Sequence, residues 1–565
     1  MRFLLFLFLA ASQPILSQSN DSAPPPAINE TVPAASDHYV LGEDSKPHSS
    51  VAAGKTFTFQ LADSRIFPGT ARTITVYIPA AYQEDKPACV YVGLDSLGFN
   101  AATVFDNLIA QHAMPVTIGI GVSPGDVASA STPDNPRFDR SLEFDSRNDR
   151  LARFLLEEVL PEVERHPTPD GHAIKLSTNP NDRAIGGGST GAIAAFTVAW
   201  ERPDAFRRVF SAIGTYVGMR GGEQYYVLVR KTEPKPLRIF MQDGVHDEWP
   251  GGPEMGDWWM SNQTMNRALE FAGYDVRHVW GTGTHNGSQA TAVFPEAMRW
   301  LWRDWPEPLR SQPPGNPVLK SIVAPGEDWE AEVRGCASML AANSQGEIRC
   351  GESAAIAFAA DGRSYQALPG GGVKVSGRAS ILSEDVDVHD LTVRNNGDIY
   401  AVTGSELWLI RSTGEKVKLD QGLKGASGVA LTPDGLWLFV AQRLSRSGLS
   451  YRVRSDGTLD ARAPFYDFDV PAWADDSGAS EIAMDRDGRA YVATRMGVQV
   501  FDRNGRVAAI LPLPGNAAAT GLCFGGKHFD ILYVASGGKV YRRKLRIEGA
   551  PPWAAPAKLP PWGAG

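Results

Sequence analysis

The sequence predicts a multidomain protein in which an α/β domain with a mostly parallel, doubly wound sheet precedes an all-β propeller of about five to six blades. Three observations carry that prediction. From about residue 55 to 305, apolar strand-like runs alternate with helical patterns. Residues 306–320 then hold Pro306, Pro308, Pro313, Pro314 and Pro317, a joint at which helical periodicity stops. Beyond it, short strand-like runs are punctuated by turns ending in glycine. At 565 residues the chain is also too long for one hydrophobic core.

Apolar residues make up 43%, enough for ordinary cores and too many for a disordered chain. A net charge of −9 without a long basic run argues against a nucleic-acid partner. Met1 and Arg2 precede an apolar run over 3–11, then small and polar residues to about Ser19. That is the layout of a secretory signal peptide over 1–19, so export to the periplasm or beyond is expected. The run is shorter than the roughly 20 apolar residues that span a bilayer. No second long apolar run follows, so no integral membrane span is expected in the mature chain. Residues 20–54 are rich in Ser, Pro, Ala and Asp without periodicity and read as a linker or a loosely attached arm.

Within the α/β region, 73–78 reads as a strand, and 89–94 and 116–122 are continuous apolar runs. Such runs suit strands buried on both faces of a parallel sheet. Leu151, Phe154, Leu155, Val159 and Val163 recur at helical spacing, with Arg153, Glu157, Glu158, Glu162 and Glu164 between them. Residues 258–271 and 295–302 also read as helices.

The most informative stretch runs from Asp182 to Gly191. A short apolar strand leads into Gly187-Gly188-Ser189-Thr190-Gly191, followed by a small, apolar helical segment to Trp200. Strand, Gly-x-Ser-x-Gly and helix in that order make a nucleophile elbow, a turn so tight that only small residues fit two places either side of the serine. The spacing fits neither a phosphate loop nor a dinucleotide fingerprint. A serine hydroxyl needs a base. Of the histidines that follow Ser189, His246, His278, His285, His389 and His528, the last two lie in the second domain. His278 lies within the strand-like run 276–280, whereas His285 follows it in the loop Gly281-Thr282-Gly283-Thr284-His285-Asn286-Gly287, the placement a catalytic base requires. The acid should follow the preceding strand, 237–241, which opens into Gln242-Asp243-Gly244-Val245-His246-Asp247-Glu248. Asp243, Asp247 and Glu248 all qualify by spacing. Oxyanion donors are expected from the Thr190 amide and from the loop Leu94-Asp95-Ser96-Leu97, at Ser96 or Leu97. Trp249, Trp258 and Trp259 near the acid loop are candidate substrate-binding walls, or core anchors of the helix they begin.

In the second domain Gly346, Gly362, Gly397, Gly414, Gly435, Gly457, Gly488 and Gly505 end turns, most of them Asn-Gly or Asp-Gly. Paired, they lie about 16 to 22 residues apart, and successive pairs start about 40 to 50 apart, the period of propeller blades. A pair of β-sandwiches is the alternative. Cys336 and Cys350 flank the turn at Gly346 and could pair across a hairpin, and a loop of that size would contribute about 3 kcal/mol. Cys89 and Cys523 sit in apolar strand-like runs.

Residues 60–305 resemble the esterase D, feruloyl-esterase and enterochelin-esterase-like group of the α/β-hydrolase fold. The carriers are Phe138-Asp139-Arg140-Ser141-Leu142-Glu143-Phe144-Asp145, Asn181-Asp182-Arg183-Ala184-Ile185 with the elbow, Gln242-Asp243-Gly244, Asn262-Gln263 and Ala272-Gly273-Tyr274-Asp275. The resemblance implies a triad of Ser189, Asp247 and His285, because in this group the acid lies three residues after the strand-end glycine. The residue before it is usually Asn and here is His246. It implies a serine carboxylesterase acting on acylated carbohydrates or small aromatic esters, without a cofactor.

Residues 320–545 resemble the gluconolactonase and regucalcin-like propellers through Asp390-Leu391-Thr392-Val393, Gly428-Val429-Ala430-Leu431-Thr432-Pro433-Asp434-Gly435 and the segment from Asp485 to Val492. Those lactonases hold a divalent cation on a Glu, an Asn and an Asp. Here the Asn position holds Ser427, the Asp position Ser480, and no Glu stands near Gly335-Cys336-Ala337. Two neutral hydroxyls do not replace an amide and a carboxylate on a hard ion, so no metal and no lactonase activity are expected. The domain is expected to bind glycan, cover the esterase pocket or stiffen the protein; a sugar lactonase and a non-catalytic glycan-binding protein are the competing readings of the chain.

Overall fold

The structure, a computed structural model, describes residues 34–130, 135–335, 339–351 and 354–561. The signal-peptide expectation and the Cys336 half of the cysteine pair lie outside the described residues. So does the Gly335-Cys336-Ala337 comparison beyond the backbone of Gly335.

The first half is built on an eight-stranded sheet. Its strands are β1 (Lys55–Leu61), β2 (Arg72–Ile78), β3 (Cys89–Leu94), β4 (Thr117–Val122), β5 (Arg183–Gly188), β6 (Arg208–Ala212), β7 (Arg238–Gly244) and β8 (Asp275–Gly281). They lie in the order β1-β2-β4-β3-β5-β6-β7-β8. Only β1 and β2 run antiparallel to their neighbours. From β4 through β8 every pair is parallel. Every residue of β3, β4, β6 and β7 is buried, which is why those segments need no polar alternation. Helices α1 (Ala101–Ala110), α2 (Thr190–Glu201), α3 (Trp258–Ala272) and α4 (Ser288–Trp302) cover the sheet. Among them α2 has eleven buried residues of twelve, so it is central. The helix expected around Leu151–Val163 runs from Arg150 to Arg165 with a π-turn at Leu155–Val159.

Two expectations change here. The segment before β1 is not a loose arm from Ser36 onward: it bonds to the loop after β8 and, at Asp44, to α1 and α4. The proline-rich joint is also packed. Asn181 takes the Leu309 amide on its carbonyl oxygen and gives its own amide to Pro306 O, and Gly315 donates to Ala272 O.

After the short helix Pro317–Ile322, capped by Asn316, the regular elements of the described chain are β-strands apart from a 3-10 turn at Pro514–Asn516. Strand Glu330–Gly335 joins the last hairpin, Ile531–Ser536 and Lys539–Lys544, in one four-stranded sheet, so the two ends of the domain close it. Three further sheets have four strands, one has three, and the hairpin Leu340–Ala342/Ile348–Cys350 has two. Their inner strands, starting at Leu340, Ile356, Asp390, Ala426, Ile482 and Gly521, touch in sequence and return to the first. This is a propeller of five blades with a two-stranded hairpin in the remaining gap, and the cyclic order excludes a sandwich pair. All eight turn glycines singled out from the sequence have positive φ, the conformation such turns demand. Cys89 and Cys523 are free and buried.

The propeller meets the α/β half through Lys231–Asp469 at 2.9 Å, a two-pronged Arg543–Glu233 pair at 2.6 and 2.7 Å, and Asn516, whose amide reaches Trp200 O. Trp200 ends α2, and Lys231 and Glu233 lie just before β7. These are the ends of the elements opposite to Ser189, which starts α2. Of the three roles open to the propeller, covering the triad is the one these contacts do not fit, since the charged pairs dock it at the far end of the sheet.

In the middle of the ring Glu481 is buried and accepts the amides of Leu340 and Leu522 from neighbouring blades. Burial, then the charge of Asp390, holds its carboxyl well above the usual range. A group that keeps its proton more tightly when folded contributes most at low pH and loses that contribution as pH climbs from its unfolded value, about 4.3, toward its folded one. Glu481→Gln should flatten the fall in melting temperature as pH rises above the unfolded value of about 4.3, measured by scanning calorimetry.

Candidate active site

Ser189 stands between β5 and α2 with φ 55° and ψ −122°, a backbone state that costs energy for a non-glycine residue. The flanking glycines explain how the turn closes. A Cβ on Gly187 would lie 2.6 Å from the Gly191 carbonyl carbon, and one on Gly191 would lie 2.9 Å from Asp95 Oδ2. The turn is held from below by the Ser189 amide, which donates to Ala212 O at 2.9 Å.

The structure brings together the three predicted side chains. The Ser189 hydroxyl donates to His285 Nε2 at 2.8 Å. His285 Nδ1 lies 2.8 Å from both Asp247 oxygens; a carboxylate only accepts, so Nδ1 carries the proton and Nε2 is free to receive one. Asp247 is buried and His285 keeps 21% of its side chain exposed, so the imidazole has one side open to solvent. Asp247 is placed by its own backbone: its amide donates to Gly244 O, and its carbonyl takes the Trp259 amide at 2.7 Å.

The ambiguity among three acids resolves by contact with the imidazole, which Asp247 makes. Glu248 is exposed and Asp243 is fully buried beside Asp247. Asp243 Oδ1 accepts the Gly244 amide at 2.8 Å. Burial and then the Asp247 charge hold the Asp243 carboxyl well above the usual range, which favours its neutral form beside Asp247.

The tryptophans separate. Trp258 is 2% exposed, meets the His285 ring edge to face at 5.6 Å and donates from Nε1 to Thr215 Oγ1 at 3.2 Å. Trp259 turns to the sheet edge and packs on Trp280. Trp249 is 53% exposed. Of the three tryptophan rings, that of Trp258 packs on the His285 imidazole and anchors it. Sequence reasoning missed Thr215, whose hydroxyl lies 3.3 Å from Ser189 Oγ, and the two-pronged pair of Arg140 with Asp95 at 2.6 and 2.7 Å, which pins the turn after β3. Nothing in their spacing marks either. Leu97 is drawn down onto the sheet end: a Cβ on Gly121 would lie 2.4 Å from its amide nitrogen, and its side chain covers Gly119. Ser96 is left at the turn.

In the propeller, Ser427 donates to Ala479 O at 2.6 Å. No group of three or more His, Cys, Asp or Glu side chains able to hold a metal occurs among the described residues. None of their helices is long and apolar enough to cross a membrane.

This architecture agrees with comparison to known proteins. Residues 65–302 match the model of the Esterase family, and residues 338–538 match that of the SMP-30/gluconolactonase/LRE-like region. No curated protein matches the chain. Among solved structures, a ferulic acid esterase is 16% identical over 45% of this chain and 99% of its own, with a TM-score of 0.35. The enterobactin esterase FES from Shigella flexneri is 17% identical over 46% of this chain and 61% of its own, with a TM-score of 0.34. A gluconolactonase from Xanthomonas campestris, XC5397, is 18% identical over 41% and 93%, with a TM-score of 0.35.

Asp247→Asn should lower kcat by on the order of 10³–10⁴ with little change in KM, by losing the group that orients the imidazole, whereas Glu248→Gln should stay within about threefold in the same initial-rate assay. The chain thus joins an α/β region that matches the Esterase model to a propeller region that matches the SMP-30/gluconolactonase/LRE-like model.

Proposed function

We propose that the protein is an exported serine carboxylic-ester hydrolase that works through an acyl-enzyme on Ser189. The observation that supports this most is the unbroken run of short hydrogen bonds from Ser189 Oγ through His285 to Asp247, set on a strained turn at a helix N-terminus. In this reading His285 Nε2 takes the Ser189 proton as Oγ attacks the ester carbonyl. Asp247 stabilises the imidazolium. The tetrahedral oxyanion is met by the amides of Thr190 and Ser96. Thr190 is the first residue of α2, where backbone N–H groups have no partner within the helix. The imidazolium then protonates the leaving alcohol, and a water activated by the same histidine releases the acid.

The substrate proposed is an acylated carbohydrate or small aromatic ester, with a feruloyl or acetyl group removed from a plant-type polysaccharide. The exposed Trp249 offers an apolar face for a sugar or phenolic ring. Export is proposed from the cation and apolar run at 1–11.

Hydrolysis of p-nitrophenyl acetate and methyl ferulate tests the reading. The wild-type protein should turn over at least one of them, and Ser189→Ala should lower that rate by roughly a thousandfold or more. Unchanged turnover in the variant would end the assignment, and a cation-dependent activity surviving it would point to the propeller as a lactonase.

A further inference from the structure

The loop that carries His285 has little to hold it. It spans Gly281 to Gly287, with a third glycine at Gly283, and follows the edge strand β8. From the β7 side it receives the amides of Val245 on Gly281 O at 2.9 Å and of His246 on Gly283 O at 3.2 Å. A base that must sit between two partners at 2.8 Å needs firmer support than that.

The support comes from the N-terminal segment. Ser36 N donates to Thr282 O at 3.0 Å, and Thr282 N donates to the Tyr39 hydroxyl at 3.0 Å. The Asp37 carboxylate takes the Thr284 amide on Oδ1 at 2.8 Å and the Thr284 hydroxyl on Oδ2 at 2.9 Å. The Asn286 side chain in turn donates to Thr284 Oγ1 at 3.1 Å, so Asp37 grips the residue immediately before His285, to which the residue immediately after it is tied. Gly283 is where the approach is closest: a Cβ there would lie 2.9 Å from Asp37 Oδ1. The other end of the segment is anchored. Asp44 pairs with Arg299 of α4 at 2.7 Å and accepts from Gln111 at 2.8 Å, while Asn107 of α1 donates to Asp44 O and Lys46 O at 2.8 and 2.9 Å.

We propose that residues 36–46 form a strap that presents His285 to Ser189, with Asp37 as its positioning residue. The proposal rests on the serine-esterase reading and adds a part of the chain outside the 65–302 family match. The strap acts on loop geometry. Misplacing a catalytic group by about 1 Å can cost on the order of a hundredfold in rate, so loss of the strap should appear in kcat more than in KM.

Full-chain Asp37→Ala, Asp37→Asn and Ser189→Ala proteins, assayed on p-nitrophenyl acetate, test it. Asp37→Ala should lower kcat by about 10- to 100-fold with KM within about threefold of wild type. Asp37→Asn keeps one accepting oxygen and should fall between the two. Hydrogen exchange at the amides of 282–286 should quicken in Asp37→Ala, while exchange in α2 stays unchanged. If Asp37→Ala melts early, the Asn variant, read at a temperature where both proteins are folded, decides by its kcat and loop exchange. The strap is overturned if kcat and loop exchange in both Asp37 variants match wild type while Ser189→Ala abolishes turnover. Turnover that survives in Ser189→Ala instead overturns the esterase reading itself.

Discussion

The contact between Gly187 and Gly191 is the constraint on which the site depends. Their backbones approach so closely that Gly187 tolerates no β-carbon, Asp95 Oδ2 crowds the same place on Gly191, and Ser189 between them takes a positive φ at the start of α2. A serine on a relaxed turn would lie back along the strand. Here the hydroxyl is lifted clear of the sheet, where an imidazole can reach it from a loop 96 residues later in the chain. The strain is borne by neighbours that are rigid: β5 is flanked by β3 and β6, and α2 is buried along almost its whole length.

Electrostatics then divides two adjacent carboxyls into unlike roles. Both Asp243 and Asp247 are buried, and two like charges so close cannot both persist in a region without water. Asp243, enclosed, has its carboxyl held toward the neutral form by burial and then by the Asp247 charge. Asp247 faces the Nδ1 proton of His285. Trp258 closes the side of the imidazole, so its orientation is fixed by an acid below and a ring at its flank.

How much of this was legible follows from where the information sits along the chain. The buried strands announce themselves because β3 and β4 are apolar throughout, and the elbow because two small residues must stand at fixed offsets either side of Ser189. His285 is legible as the histidine on a strand-end loop. Asp247 was not separable by spacing from Asp243 and Glu248, since the choice is made by folding: the backbone bonds to Gly244 and Trp259 decide which carboxylate faces inward. β1, at the edge with alternating exposure, and β6, five residues opening on a buried arginine, carry too weak a pattern to be found alone. The blade turns were visible through their glycines. The closure was not, because Glu330–Gly335 pairs with Lys539–Lys544 some 200 residues away. The ordered segment before β1 was hidden by its composition, since its contacts use single polar groups and no periodic face.

The two halves are joined by polar contacts at the end of the sheet remote from Ser189, which leaves the triad face of the sheet to the loops after β3, β5, β7 and β8. The central claim is that the base-activated hydroxyl on this face is the reactive one. Labelling with a fluorophosphonate, followed by peptide mass mapping, tests it most directly. The account predicts a single adduct on Ser189 that forms readily in the wild-type protein and fails to form in His285→Ala. An adduct at a different serine, or equal labelling of Ser189 without the imidazole, would contradict it.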